Sequence, residues 1–157
     1  MASTSSSSSS DLRERIEASA RAFLSAFEEV SAQNDVSIIN RDVTADCTRH
    51  LLPASVPEAF GLPAGFFFDN ATYFEAVSKD NKVLKFRNNI LSNLVIDTDA
   101  RRASFTSDAE VHPVSGEAWY PVEMAWFLYF DEDGSKITRV VEFGDKDGLL
   151  RMASESA

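Results

Sequence analysis

Residues 118–143 read AWYPVEMAWFLYFDEDGSKITRVVEF, and their period decides the fold. In 118–130 the even positions are Ala118, Tyr120, Val122, Met124, Trp126, Leu128 and Phe130, an apolar row broken only by one phenol. A two-residue period of this kind makes a strand with one face turned inward. The odd row (Trp119, Pro121, Glu123, Ala125, Phe127, Tyr129) is mixed but too aromatic for plain solvent. Both faces are therefore expected to be covered, one by helices and the other by a second copy of the chain. The acidic turn 131–134 ends in Gly134 and reads as a hairpin, with 136–143 as the returning strand.

Working outward, 83–96 and 102–112 read as two more strands, joined by the polar turn 97–100 and followed by the turn 113–116. Within 102–112, Ala103, Phe105, Ala109 and Val111 fall inward, while Ser104, Thr106, Asp108, Glu110 and His112 fall on the polar face. Upstream of residue 83 the period lengthens. Leu12, Ile16, Ala20, Phe23, Phe27 and Val30 recur every three or four residues, one apolar face of a helix, with Asp11 and Glu14 placed as a capping box. A shorter helix is expected from Asn34 or Asp35 through Val43, an extended piece at 48–52, and a loop over 53–65. A third helix starts at Asp69 or Asn70, carries Tyr73, Phe74 and Val77, and stops at 78–81. Leu149, Leu150 and Met152 suggest a short terminal helix. Helices followed by consecutive strands, without crossover helices between them, predict an α+β domain over 11–157. Residues 1–10, rich in serine, are expected to be disordered.

The chain has 157 residues, a formal net charge of -10 and 12 phenylalanines. Such a surface repels phosphate backbones and anionic membranes, so neither nucleic acid nor a membrane is an expected partner. The phenylalanines must line a core, a pocket or an interface. Cys47 is the single cysteine; it can close no internal disulfide and supports no cysteine-based zinc site. His50 and His112 have no ligand spacing with Asp108 or Glu110, so no metal is expected. The first ten residues lack the basic and apolar segments of a secretory leader, and no apolar run approaches a membrane span, which makes the cytoplasm the expected compartment.

The run from Phe130 through Asp131, Gly134, Lys136, Ile137 and Arg139, followed by Glu142, Phe143 and Asp145, resembles the ending of SnoaL-like domains. Phe86 with Ile90, and Val95-Ile96-Asp97, resemble an earlier strand and turn of the same group. The likeness implies the NTF2-like cone: three N-terminal helices packed on a curved antiparallel sheet. Within that superfamily the chain resembles small fungal tailoring enzymes, the isomerases, cyclases and semipinacolases of meroterpenoid and spiro-indoxyl alkaloid pathways. That resemblance implies a cofactor-free reaction on a natural product. It also implies an arginine after the second helix, a tyrosine on the penultimate strand and a glutamate on the last, which here are Arg49, Tyr120 and Glu142. Where the group carries a second tyrosine this chain has Met124.

The residues themselves support two readings of each position. Glu142 shares a row with Thr138 and Val140 in a strand of Ile, Val and Phe. It is either a carboxyl whose pKa an apolar cleft raises for acid–base work, or a strand-end residue reaching solvent. Arg49 either holds an oxyanion through its forked donors or satisfies helix-end carbonyls, and Arg41 competes for the same part. Tyr120 either orients a substrate or packs with its hydroxyl satisfied. Met124, Trp126 and Phe105 on the inward rows, and Phe67 in the run 66–68, are the candidate substrate contacts. Phe67 is either a packing plug or part of a lid hinged at 61–65. The expected function is a cofactor-independent isomerase or cyclase of a small apolar metabolite. The rivals are a non-catalytic ligand-binding or dimerisation module, and a dehydratase or hydrolase in which a bulge turns His112 inward as base.

Overall fold

The computed structural model describes residues 2–157; Met1, at the head of the serine-rich segment, lies outside them. The first element, α1 (Ala2–Gln33), begins well before Asp11, which therefore sits inside the helix instead of capping it. Serine costs a helix only about 0.5 kcal/mol per residue, too little to end one nucleated by a packed segment. The predicted face is the buried one: Leu12, Ile16, Ala20, Phe23 and Val30 are all withdrawn from solvent.

The second helix is shorter than expected. A 3-10 turn (Val36–Asn40) is capped by the Asp35 side chain, and the chain then extends as β1 (Val43–Leu52). The loop expected over 53–65 contains a single-turn helix, α2 (Ser55–Ala59), and leads to the two-residue β2 (Phe67–Phe68). Asp69 caps α3 (Asn70–Val83) in a reciprocal box with Thr72, and the helix runs past the polar residues expected to stop it. The four predicted strands follow as β3 (Leu84–Asp97), β4 (Arg102–Pro113), β5 (Tyr120–Phe130) and β6 (Ile137–Gly144). The chain closes with α4 (Lys146–Ser156).

The strands form one six-stranded sheet in the order β2-β1-β6-β5-β4-β3. It is mixed, which corrects the all-antiparallel expectation: β1 runs parallel to β6, while β3 to β6 form the antiparallel meander. The pairing of β3 with β4 slips twice, after Arg87 and after Ser92, and Asn88 and Asn93 take positive φ there. Bulges of this kind bend a strand, curving the sheet around α1. Phe23 meets the Trp126 ring edge-on at 5.3 Å in the resulting core. From Tyr120 onward the inward row is as predicted, with Tyr120, Val122, Met124, Trp126, Leu128 and Phe130 buried and Trp119 and Phe127 exposed; Ala118, expected on the same row, precedes β5 and is exposed. No helix among the described residues is long and apolar enough to cross a membrane.

Gly134 ties the last hairpin to α1. Its φ is +78°, and a Cβ there would lie 2.8 Å from Ile16 Cγ1 and 2.9 Å from a Leu12 methyl. Its carbonyl accepts a 2.9 Å hydrogen bond from the Ser19 hydroxyl. Gly134→Ala combines a left-handed backbone with an overpacked contact, and is expected to lower unfolding free energy by roughly 2–4 kcal/mol in a denaturant titration.

Candidate active site

The inner face of the sheet, α3 and α4 enclose an apolar cavity of about 400 Å³, within the range of small-molecule sites. Val122, Met124 and Trp126 form its floor, with Phe27, Val77 and Met152 against them. Gly144 makes room for α4: any side chain there would collide with Leu149 and Met124. Few polar groups enter this space. The Ser107 hydroxyl is taken by the Trp126 indole at 2.8 Å. Glu142, Asp80 and Tyr73 are the least exposed of the titratable groups in the lining, which also includes Glu75, Lys79 and Asn89.

Glu142 lies on the inward row of β6, opposite Trp126 on β5 and Leu51 on β1. It is only 7% exposed, and its Oε1 has no hydrogen-bond partner among the described residues. Burial pushes its carboxyl up to about 7; the charge of Arg49 works against the rise and that of Asp80 adds to it. A buried carboxyl with a raised pKa is stable when protonated. Its contribution is thus present below the ordinary value of 4.5 and is lost as pH rises toward about 7. Glu142→Gln lacks that titration. Its stability relative to the parent is expected to improve from about pH 5 to about pH 8, by up to about 3 kcal/mol in paired denaturation curves.

Arg49 sits on the inward row of β1 between Cys47 and Leu51 and is 1% exposed. Its Nη2 donates to the Ile39 carbonyl at 2.8 Å and to Asn40 Oδ1 at 3.3 Å. Its guanidinium stacks 3.9 Å from the centre of the Tyr73 ring, while Nε and Nη1 find no partner among the described residues. Arg49 therefore acts on Glu142 through its charge and on Tyr73 through contact, from behind the cavity wall. Tyr73 is also buried, and desolvation with the neighbouring Glu142 charge drives its phenol far above the ordinary value. It stays protonated and is a hydrogen-bond donor at any working pH.

The structure thus brings Glu142 and Arg49 together, with Met124 and Trp126 in the cavity wall. Tyr120 does not join them. Its hydroxyl donates to Glu155 Oε2 at 3.3 Å and its ring lies under the Arg151 guanidinium at 3.8 Å, so α4 claims the phenol. Phe105 is a core residue stacked on Trp126, outside the cavity lining. Phe67 is 48% exposed and packs on the His50 ring, because its place in β2 turns it away; the neighbouring Phe68 borders the cavity together with Phe60. Accordingly Phe67→Ala is expected to leave ligand affinity unchanged, whereas Phe68→Ala weakens it about tenfold, as read by calorimetry.

The remaining candidates lie elsewhere. His112 pairs with Glu110 at 2.9 Å on the polar face, and β4 pairs with β5 in unbroken register up to Val111, so no bulge turns the imidazole inward. Arg41 pairs with Glu29 and Asp42 at the surface. Burial pushes the Cys47 thiol up to about 11, which leaves it unreactive. Among the cavity groups that the sequence pattern does not mark as site residues, Tyr73 and Asp80 stand out. Their signal is the helical spacing Tyr73, Val77, Asp80, which places an acid on an apolar stripe. Burial pushes the Asp80 carboxyl up to about 6, and the nearby Ser156 hydroxyl limits the rise.

No protein-family model matches the sequence, and no curated protein matches it either. Solved structures do match. BvnE pinacolase from Penicillium brevicompactum is 23% identical, with 92% of this chain and 95% of that one covered and a TM-score of 0.71. PrhC from Penicillium brasilianum is 19% identical, with 93% of each chain covered and a TM-score of 0.72. An NTF2-like protein of unknown function from Burkholderia pseudomallei is 11% identical, covering 88% of this chain and 96% of that one, with a TM-score of 0.60. At these identities the likeness establishes the fold: the chain has the NTF2-like α+β architecture.

Proposed function

We propose that the chain is an isomerase or cyclase that moves a proton on a small, largely apolar secondary metabolite of the kind fungal tailoring enzymes rearrange. The observation that carries this reading is Glu142: a carboxyl raised to about 7 inside an apolar cavity, close to half-protonated at neutral pH. A group poised in this way can give up a proton and take one back within a single turnover. Two of the similar structures come from Penicillium, and one of them is a pinacolase; this supports a skeletal rearrangement in preference to hydrolysis.

In the proposed reaction the apolar walls fold the substrate into a reactive conformer. The Tyr73 hydroxyl donates to a carbonyl or epoxide oxygen, and Glu142 protonates it. A bond migrates or a ring closes on the carbon made electron-poor, and a proton is lost to restore neutrality. Arg49 keeps the ionised form of Glu142 accessible while holding the Tyr73 ring in place. Tyr73 fills the part that the resemblance assigns to Tyr120.

The test is incubation of the purified chain with a small-molecule extract from a strain of the source organism that lacks it, followed by mass spectrometry. An isomerase replaces one compound by another of identical mass. Loss of a water mass would favour dehydration, and no conversion of any compound would contradict the proposal.

A further inference from the structure

Four charged side chains border the cavity, Glu75, Lys79, Asp80 and Glu142. Glu75 and Lys79 are exposed, whereas Asp80 is half-buried and Glu142 buried. These last two carboxyls come from different walls, Asp80 from α3 and Glu142 from β6. A ligand that fills the space between helix and sheet touches both. Among the described residues Asp80 accepts no salt bridge: the ammonium of Lys85 is committed to the Asn81 carbonyl and Asn81 Oδ1, each at 2.9 Å. We propose that Asp80 is a second catalytic carboxyl, so that the reaction uses an acid and a base on two walls of the cavity instead of one carboxyl twice.

The inference rests on the reading of the cavity as a proton-moving site and gives that site a direction. Protonated Glu142 gives its proton to a substrate carbonyl or epoxide oxygen, which stays bonded to the skeleton, as one carbon–oxygen bonding pair moves onto that oxygen. A neighbouring bonding pair shifts to the electron-poor carbon. The Asp80 carboxylate then takes the proton released from the substrate, so the product has the substrate's composition and no electrons are gained or lost. Exchange with solvent returns the proton from Asp80 to Glu142.

The order follows from the surroundings. The charge of Asp80 is felt by Tyr73 on its own helix, Tyr120 on β5 and Glu142 on β6, and Glu75 and Lys79 border the same cavity. One contact further out, Arg49 on β1 engages Tyr73, Arg151 and Glu155 on α4 engage Tyr120, and Lys85 on β3 is held by Asn81; the 3-10 turn contributes none. Burial raises both carboxyls, Asp80 to about 6 and Glu142 to about 7. Between these values Asp80 is ionised and Glu142 still holds its proton, which is the pairing the step requires. Two groups used in opposite protonation states give a bell-shaped pH profile.

The experiment measures the equal-mass conversion against pH for the full chain, Asp80→Asn and Glu142→Gln, with folding checked by near-ultraviolet circular dichroism. Asp80→Asn is expected to lower kcat by about 10²–10⁴-fold and to flatten the acid limb near pH 6 while the alkaline limb near pH 7 remains. Asp80→Glu should restore part of the rate and the acid limb. A structural role for Asp80 would leave that limb in place. Full activity or an unchanged acid limb in Asp80→Asn overturns the proposal. If Glu142→Gln is inactive in the same assay, the single-carboxyl reading survives; if both variants are active, the proposed function falls as well. Should Asp80→Asn fail to fold, carbon-13 titration of the carboxyls in the parent decides: a midpoint near the ordinary 3.8 for Asp80 overturns the inference.

Discussion

Glu142→Gln is expected to lower kcat by about 10²–10⁴-fold while leaving KM within a few-fold of the parent. The amide keeps the shape of the carboxyl and sits at the same place on β6, opposite Trp126. It cannot release or accept the proton that the reaction moves. Because burial already favours the neutral form of Glu142, the neutral amide causes no folding defect, so the loss must appear in turnover and not in yield or melting temperature. Glu142→Asp retracts the carboxyl by one methylene and should recover a fraction of the rate. Parent-like kcat in a correctly folded Glu142→Gln would remove Glu142 from the chemistry.

Arg49→Ala is expected to cost about 3–5 kcal/mol of stability, a large share of what holds a domain of this size together. The substitution empties the space beside the Tyr73 and Phe23 rings, on which the guanidinium stacks at 3.9 and 5.4 Å. It also strips the Ile39 carbonyl of its 2.8 Å donor, and a buried acceptor left unpaired is costly in itself. Arg49→Met separates packing from charge. The thioether refills much of the volume, so the stability loss shrinks, yet the cation that favours ionised Glu142 is gone. The Glu142 midpoint should then climb above about 7, and the alkaline limb of activity, where Glu142 loses the proton it donates, should shift to higher pH. An unmoved midpoint in a folded Arg49→Met would show that the two side chains are not coupled.

Much of this architecture is legible in the amino-acid sequence, for a physical reason. The antiparallel meander is written in a two-residue period, so the inward rows of β4 and β5 can be read residue by residue, and Glu142 falls inward by the same count. β1 is harder. Its pairing slips between Val43 and Thr48, which breaks the alternation, and its parallel partner β6 is distant in sequence, so Val43 reads as the end of a helix. Tyr120 shows a different limit. Alternation correctly buries it, but period alone does not say which part of a buried row faces a cavity, and α4, whose position no local pattern announces, takes its hydroxyl through Glu155. Phe67 stands one residue away from Phe68, which borders the cavity, and β2 is too short for its facing to be counted. Asp80 is hidden by its neighbours: the polar run 78–81 reads as a helix end, whereas α3 continues to Val83 and carries the acid onto the cavity wall.

The central claim is that the cavity holds a carboxyl close to half-protonated at neutral pH. Carbon-13 titration of glutamate-labelled protein tests it directly, with the Glu142 resonance assigned by its loss in Glu142→Gln. A midpoint near 7 that rises in Arg49→Met is the predicted result. A midpoint at the ordinary 4.5 would contradict it, because Glu142 would then be a fully ionised structural carboxylate with no proton to give.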